Sequence, residues 1–173
     1  MLTTNQKGAI AETAILATAV RLGIVVYLPA VEGGRCDMLF EVGRRLFRVQ
    51  CKWAVRDGDV VNVPGRTCRR TATGYRRGTY SADEIDFVAA YCLELDRCFC
   101  VPIELIGGRP LVSLRLAPAR NNQKAAINWA ADYEFGAIAQ LGERVTGSHE
   151  VAGSSPASST PQAAAPRSGR SSL

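Results

Sequence analysis

Histidine and metal-binding cysteine motifs are nearly missing from this sequence. The single histidine is His149, and none of the six cysteines belongs to a CxxC pair. These absences disfavour catalysis by a histidine base, and they disfavour a zinc site, since zinc is commonly held by such Cys and His ligands. Catalysis in this chain must therefore depend on carboxylate, lysine, glutamine or cysteine side chains.

Long apolar runs are also absent. Although 47% of the residues are hydrophobic, no stretch approaches the roughly 20 residues that a membrane-spanning helix needs. The opening residues MLTTNQKGAI lack the basic-then-apolar order of a secretory signal. We therefore expect a protein with no membrane partner and a cytoplasmic location, where cysteines stay reduced.

The composition of the chain changes near residue 136. Residues 136–173 include eight Ser, seven Ala, five Gly and three Pro, which make up 23 of the 38 residues, and they include no aromatic residue. Such a segment has too few large apolar side chains to form a core. The sequence predicts one folded domain over residues 1–135 and a disordered tail over residues 136–173.

The apolar pattern of residues 1–135 predicts helices at both ends and strands between them. Helical spacing runs over residues 5–22, with Thr4 or Asn5 as the cap, and a closing helix is expected within residues 122–135, with Ala126, Trp129 and Tyr133 near one face. Between them lie short apolar segments, of which residues 24–28 are read as a buried strand. This order indicates the α/β (α+β) fold class, a mixed β-sheet flanked by helices.

Two predicted strands bring three polar side chains to one face. If residues 36–42 and 45–53 form a hairpin that turns at Gly43, Asp37 lies directly opposite Gln50, and Lys52 projects from the same face. Mg²⁺ prefers oxygen ligands, so the Asp37 carboxylate, the Gln50 amide oxygen and the Cys51 carbonyl would suit it. An ordinary solvated strand face fits the same pattern, and spacing alone favours that alternative.

The segment around and after this hairpin is strongly basic. Residues 44–78 contain ten Lys or Arg and two Asp or Glu, a net charge of +8. A cluster of this kind is typical of surfaces that bind nucleic-acid phosphates, although a solubilising loop has a similar composition. The residues predicted to contact DNA lie in an arginine-rich loop and just after it: Arg66, Arg69, Arg70, Tyr75, Arg76, Arg77 and Tyr80.

Five segments in order resemble the PD-(D/E)xK nuclease superfamily, and more closely its group I intron-associated homing endonuclease family. They span residues 3–135 and read TNQKGAIAETAI, YLPAVEGGRCDMLFE, RLFRVQCKW, DEIDFVAAYC and PARNNQKAAINWAADYEF. The resemblance implies a restriction-endonuclease-like core. It also implies catalytic roles for four residues: Glu12 on the helix, the metal-binding Asp37, Gln50 at the third acidic position, and the motif lysine Lys52. Two departures stand out, since an amide replaces the usual third acid, as in the intron-associated group, and the helix motif reads AxAE instead of GxxGE.

The activity that the resemblance implies is Mg²⁺-dependent hydrolysis of phosphodiester bonds in double-stranded DNA. Mn²⁺ is expected to substitute, and Asp37, Gln50 and Glu12 are the implied metal-site residues. One small domain offers a single active site, so cutting both strands favours a homo-oligomer, a dimer or a tetramer. Two alternatives stay open. One is a junction-resolving or repair nuclease of the same superfamily, and the other is a catalytically inactive DNA-binding module whose metal site is lost because Gln50 replaces an acid.

The tail carries a second resemblance. Codons compatible with residues 136–160 can form an acceptor stem, an anticodon arm and a T-arm in the correct order, so this segment resembles a translated alanine transfer-RNA gene with the anticodon GGC. The tail is then read-through of that gene. Since group I introns of this kind often interrupt transfer-RNA genes, such a gene is the expected target. A fortuitous likeness in an Ala/Ser/Gly-rich tail is the alternative.

Overall fold

The long helix near the start of the chain is α1 (Thr4–Arg21), and it begins with a capping box. The Gln6 N–H donates to the Thr3 hydroxyl at 3.2 Å, and the Thr3 N–H donates to the Gln6 side-chain oxygen at 2.9 Å. The sequence prediction placed the cap one or two residues later. Thr4 and Asn5 are equally suitable residue types, and only the reciprocal bond with Gln6 distinguishes Thr3.

The computed structural model describes residues 1–31, 33–71, 74–118 and 125–136, without the side chains of residues 69–71, 75 and 76. Within these ranges it contains nine strands and a second, short helix, α2 (Ile103–Ile106). None of the helices in these ranges is long and apolar enough to cross a membrane. The strands are β1 (Val25–Tyr27), β2 (Met38–Val42), β3 (Arg45–Asp57), β4 (Val60–Pro64), β5 (Arg66–Thr71), β6 (Gly74–Thr79), β7 (Phe87–Cys92), β8 (Arg97–Pro102) and β9 (Leu111–Arg115).

β3 is the central strand of the main sheet. β2 and β7 both pair with Val49, so they lie on opposite edges of β3, with β2 antiparallel and β7 parallel. Farther along, β3 pairs with β4, and β4 pairs with β9, while β1 pairs with β2 and β8 with β7. The combination of parallel and antiparallel pairing, with α1 packed on the sheet, confirms the predicted mixed sheet of the α+β class.

Apolar side chains form two clusters, one on each face of the sheet. On one face, Ile15 and Ala19 of α1 pack with Val49 and Cys51 of β3. On the other face, a larger cluster includes Ala54 of β3 and residues of β4, β7, β8, β9 and α2. Side chains alternate along β3 as predicted, and the residues between Val49 and Ala54 therefore divide between the face covered by α1 and the opposite face.

Two segments have structures that differ from the sequence prediction. The predicted buried strand at residues 24–28 is the edge strand β1, in which Val25 is 52% and Tyr27 is 47% exposed. A short apolar run does not by itself show how many sides of a strand are covered. The predicted arginine-rich loop is a two-stranded antiparallel hairpin of β5 and β6. Its Arg and Thr residues gave no apolar alternation from which strands could be predicted.

The closing helix was also predicted wrongly in the part that the structure describes. Over residues 125–135 the helical content is one 3-10 turn, Ala130–Tyr133. Ala126 has a φ of 54°, in the left-handed region, which ends any α-helix that would place it on one face with Trp129 and Tyr133. Residues 122–124 of that prediction, and the predicted tail beyond residue 136, lie outside the described residues.

Candidate functional site

The predicted polar cluster lies beside β3, at the point just before the first residue of β2. Pairing continues from the turn to Met38 opposite Val49, which places Asp37 beside Gln50 as predicted. The Asp37 N–H donates to the Val49 carbonyl at 2.9 Å. One step farther, the Cys51 N–H donates to Asp37 Oδ2 at 2.8 Å, so a side chain takes the place of a strand carbonyl. This edge therefore fixes the carboxylate against the backbone of β3.

Two oxygen acceptors converge on the amide of Gln50. Its Nε2 donates to Asp37 Oδ2 in a short bond and to the Cys51 carbonyl at 3.5 Å. The N–H donor thus stands between a carboxylate and a carbonyl, where a cation with oxygen ligands would be held. Half a turn of the amide would present Oε1 instead. The donor set of carboxylate, amide and carbonyl oxygens fits a hard divalent cation such as Mg²⁺.

Glu12 approaches the same edge from α1. Together with Asp37 it lines an outer cleft between α1 and the loop of residues 28–37. Its carboxylate also contributes electrostatically at Lys52, where it opposes the effect of burial on the lysine pKa. In the described part of the chain, no group of three His, Cys, Asp or Glu side chains can hold a metal ion. Neutral oxygens, from Gln50 and Cys51, would have to complete a metal site here.

Lys52 lies in an inner cleft with Asp37 and Gln50. Burial lowers the pKa of Lys52, and the neighbouring Asp37 carboxylate partly offsets that change. Burial raises the pKa of Asp37, and the Cys51 N–H and the Lys52 ammonium partly oppose it. Both groups are half-buried, so the attraction of the Lys52 ammonium for a bound phosphate, and of the Asp37 carboxylate for a bound cation, would be stronger than at an exposed surface.

The inner and outer clefts adjoin each other. Both are lined by Gly33, Gly34 and Asp37, and together they reach from the first half of α1, past Asp37, to Thr67 and Cys68 of β5. A polymeric substrate can therefore cross the Asp37 carboxylate while contacting protein on both sides. The arrangement suits a polymer with a charged backbone that is bound away from its ends.

The residues predicted to bind DNA have different environments. Arg66 and Arg77 are exposed on the β5–β6 hairpin. The side chains of Arg69, Arg70, Tyr75 and Arg76 lie outside what the structure describes, although their backbone belongs to the same hairpin.

Tyr80, one of the residues predicted to contact DNA, has a buried side chain. Its side chain is only 7% exposed, and the Lys52 Nζ lies 5.1 Å from the centre of its ring. The burial leaves no open ring face on which a base could stack. Tyr80 therefore belongs to the wall of the inner cleft.

Sequence reasoning missed two residues of the inner cleft, Thr67 and Cys68. Thr67 is buried, whereas its neighbour Arg66 is exposed. In a strand, successive side chains point to opposite faces, so interpreting residues 66–71 as a strand would have placed Thr67 and Arg66 on different faces. The interpretation of this segment as a loop concealed that alternation.

The mixed sheet, with the cleft at the edge of its central strand, is a restriction-endonuclease-like α+β fold. Residues 2–136 match the family model described as PD-(D/E)XK endonuclease, and the chain belongs to this family. Nucleases of this family generally use divalent metal ions, which agrees with the oxygen donors around Asp37.

A solved structure provides a second comparison. The chain is similar to a bacterial homing endonuclease, I-Ssp6803I, with a TM-score of 0.66 and 22% sequence identity. The similarity covers 87% of this chain and 100% of that chain. At this level of identity the likeness establishes the fold. No curated protein matches the chain.

Proposed function

We propose that this protein is a Mg²⁺-dependent endonuclease that hydrolyses phosphodiester bonds in double-stranded DNA, with Mn²⁺ able to substitute. The observation that carries the proposal is the shared inner cleft of Asp37, Gln50 and Lys52, which places a carboxylate, an amide and an ammonium group around one point. A second carboxylate, Glu12, lines the adjoining cleft. The basic hairpin of β5 and β6 contributes to the wall of the inner cleft, where it would contact the phosphates of a bound duplex.

The residues divide the work of phosphodiester hydrolysis between them. Asp37 Oδ2, the Gln50 amide oxygen and the Cys51 carbonyl would hold the cation, which supplies positive charge to polarise the scissile phosphate and activate a water. Lys52 would donate to a non-bridging phosphate oxygen and offset the negative charge that develops during attack. Glu12 would hold a second cation or orient a water in the outer cleft. The Cys51 N–H keeps Asp37 in position before substrate arrives.

The biological setting that we propose is intron homing at a transfer-RNA gene. The resemblance of residues 136–160 to a translated alanine transfer-RNA gene supports it. In that setting, residues 1–135 are the nuclease domain and the remainder is read-through of the target gene. The described residues form one such cleft per chain, and cleavage of both DNA strands by one kind of site calls for a homo-oligomer, a dimer or a tetramer.

Cleavage of cloned DNA tests the proposed activity. The wild-type protein should cut a duplex containing an uninterrupted alanine transfer-RNA gene in Mg²⁺ or Mn²⁺, and should leave it intact in EDTA. Lys52→Met should still bind the duplex but cut it at least about a hundredfold more slowly, the usual scale for loss of one charge-stabilising donor. Lys7→Met is the matched control. Lys7 is on α1, its ammonium lies over the ring of Trp53, and it does not line either cleft.

The possible outcomes separate the parts of the proposal. Binding without any cleavage by the wild-type protein would make it an inactive DNA-binding module. Preferential cutting of a branched duplex would indicate a junction-resolving enzyme. Random cutting, or equal cutting of unrelated genes, would contradict the transfer-RNA target while leaving the nuclease activity in place.

A further inference from the structure

The ring of Tyr80 underlies the lysine that the proposed mechanism needs. Tyr80 is the first residue after β6, and its side chain is packed in an apolar cluster with Val88 and Ala90 of β7. Only 7% of it is exposed, so its position is fixed by the core. The Lys52 Nζ lies 5.1 Å from the centre of the ring, within the 6 Å range of a cation–π contact.

A lysine ammonium has little orientational preference of its own. Its four-carbon stem is flexible, and its charge attracts any nearby anion. An aromatic face attracts the ammonium by its quadrupole, and the attraction is larger where the pair is partly removed from water, as it is for the half-buried Lys52 over the buried Tyr80 ring.

We propose that Tyr80 is a positioning residue for Lys52: its ring face holds the Lys52 ammonium toward the Asp37 side of the cleft, where the scissile phosphate binds. This inference rests on the proposed nuclease function and deepens it. It also assigns Tyr80 a role different from the DNA contact that the sequence predicts. The residue acts through Lys52 and does not touch the nucleic acid.

Nuclear magnetic resonance tests the contact without requiring cleavage. The chain has three lysines, Lys7, Lys52 and Lys124, so selective lysine labelling gives three sets of side-chain signals. The Lys52 ε-methylene protons should be shifted upfield by the ring current in the wild type and in Tyr80→Phe, and should move to the free-lysine position in Tyr80→Leu. Trp53→Leu is the matched control, because the Lys7 Nζ lies 5.6 Å from the Trp53 ring centre. That variant should move the Lys7 signal and leave the Lys52 signal in place.

Single-turnover cleavage tests the role. Tyr80→Leu should lower the rate constant at saturating enzyme by about tenfold, the effect of losing a partly desolvated cation–π contact, with DNA affinity changed by less than about twofold. Tyr80→Phe keeps the ring and should restore the rate to within about threefold. In a Lys52→Met background, Tyr80→Leu should cause no further loss, because both changes remove the same interaction.

Several results would overturn the inference. One is an unchanged Lys52 signal in Tyr80→Leu. Another is a reduction of the cleavage rate by Tyr80→Leu that adds fully to the reduction by Lys52→Met. A third is weaker DNA binding by Tyr80→Leu at an unchanged rate constant, which would indicate that Tyr80 contacts the DNA directly. Equal losses in Tyr80→Phe and Tyr80→Leu would assign the effect to the hydroxyl. If the wild type cuts no DNA, the proposed function fails and the positioning role fails with it, while the Lys52 signal still shows whether the contact exists.

Discussion

The backbone N–H of Cys51 donates to Asp37 Oδ2 at 2.8 Å, so the carboxylate that precedes β2 is held by the neighbouring strand β3. Gln50 donates to the same oxygen. These bonds orient an acid that burial would otherwise drive toward its neutral form, since burial raises the pKa of Asp37. The carboxylate is therefore held in position, and binding of a cation would stabilise its charged form.

Asp37→Asn should separate stability from function. The pKa of Asp37 in the folded protein is raised, so its charged form costs stability, and that cost grows as pH rises through the folded-state pKa. In metal-free protein at neutral pH, the variant should melt higher, by about 2–4 °C for each 1 kcal/mol of relief. Cleavage should fall by about a hundredfold or more. Calorimetry with and without Mg²⁺ and a cleavage assay would measure both effects.

Asp57→Asn is the control for this prediction, because Asp57 is exposed at the far end of β3. It should change neither the melting temperature nor the rate appreciably. A metal-free Asp37→Asn protein that melts lower than the wild type would contradict the assigned cost of burial.

Gln50→Glu should increase the dependence of stability on metal. Without metal, a second carboxylate beside Asp37 replaces a hydrogen-bonding amide and adds repulsion, so the melting temperature should fall. A bound cation would relieve the repulsion, so the rise in melting temperature on adding Mg²⁺ should exceed that of the wild type. Titrating Mg²⁺ while recording thermal melts would measure this.

Gln50→Ala provides the comparison for Gln50→Glu. It removes the amide oxygen without adding charge, so its Mg²⁺-induced stabilisation should be smaller than that of the wild type. Equal metal responses in all three proteins would show that the side chain at residue 50 is not a metal ligand.

Replacing Arg66 and Arg77 together by Ala should weaken DNA binding in a salt-dependent way. Both side chains are exposed on the hairpin beside the cleft. If each neutralises one phosphate, the slope of log K against log salt should decrease by about 2 in magnitude. Fluorescence anisotropy with a labelled duplex at several salt concentrations would give the slope. Arg21→Ala with Arg56→Ala changes the net charge equally, from α1 and the far part of β3, and should leave most of the slope intact.

Asp86→Asn should destabilise the protein in a pH-dependent way. Asp86 Oδ2 accepts from the Arg48 N–H at 2.7 Å, and Oδ1 accepts from the Arg48 guanidinium at 2.9 Å. The Arg48 side-chain bond is the main cause that lowers the pKa of Asp86. Because the carboxylate is about a third exposed, solvent reduces its contribution to about 1 kcal/mol.

The sign of this pH dependence follows from the lowered pKa of Asp86. The stabilisation should be complete above the ordinary aspartate pKa of about 3.9 and should be lost as pH falls through the lower folded-state value. Urea unfolding of wild type and variant between neutral and acidic pH would show the difference closing in that range. The exposed Asp59→Asn serves as the control, and a gap that stays constant down to low pH would contradict the prediction.

The sequence by itself determined the hairpin of β2 and β3 and the polar trio on it. A turn at Gly43 and strict alternation along β3 fix the register, and the register fixes which side chains face each other. These are local relationships, set by bond geometry within about fifteen residues. The resemblance to the nuclease family then predicted Glu12 as a fourth site residue, which no local pattern could do.

Tertiary structure alone decided the rest of the site. Tyr80 is buried under Lys52 because it packs in a cluster with residues of β7. The residues next to Tyr80 in the sequence do not indicate whether it is buried or exposed to DNA. The placement of Glu12 on the same cleft as Asp37 likewise depends on how α1 lies on the sheet. Contacts between segments far apart in the chain are selected by the burial of whole surfaces, which no short window of sequence contains.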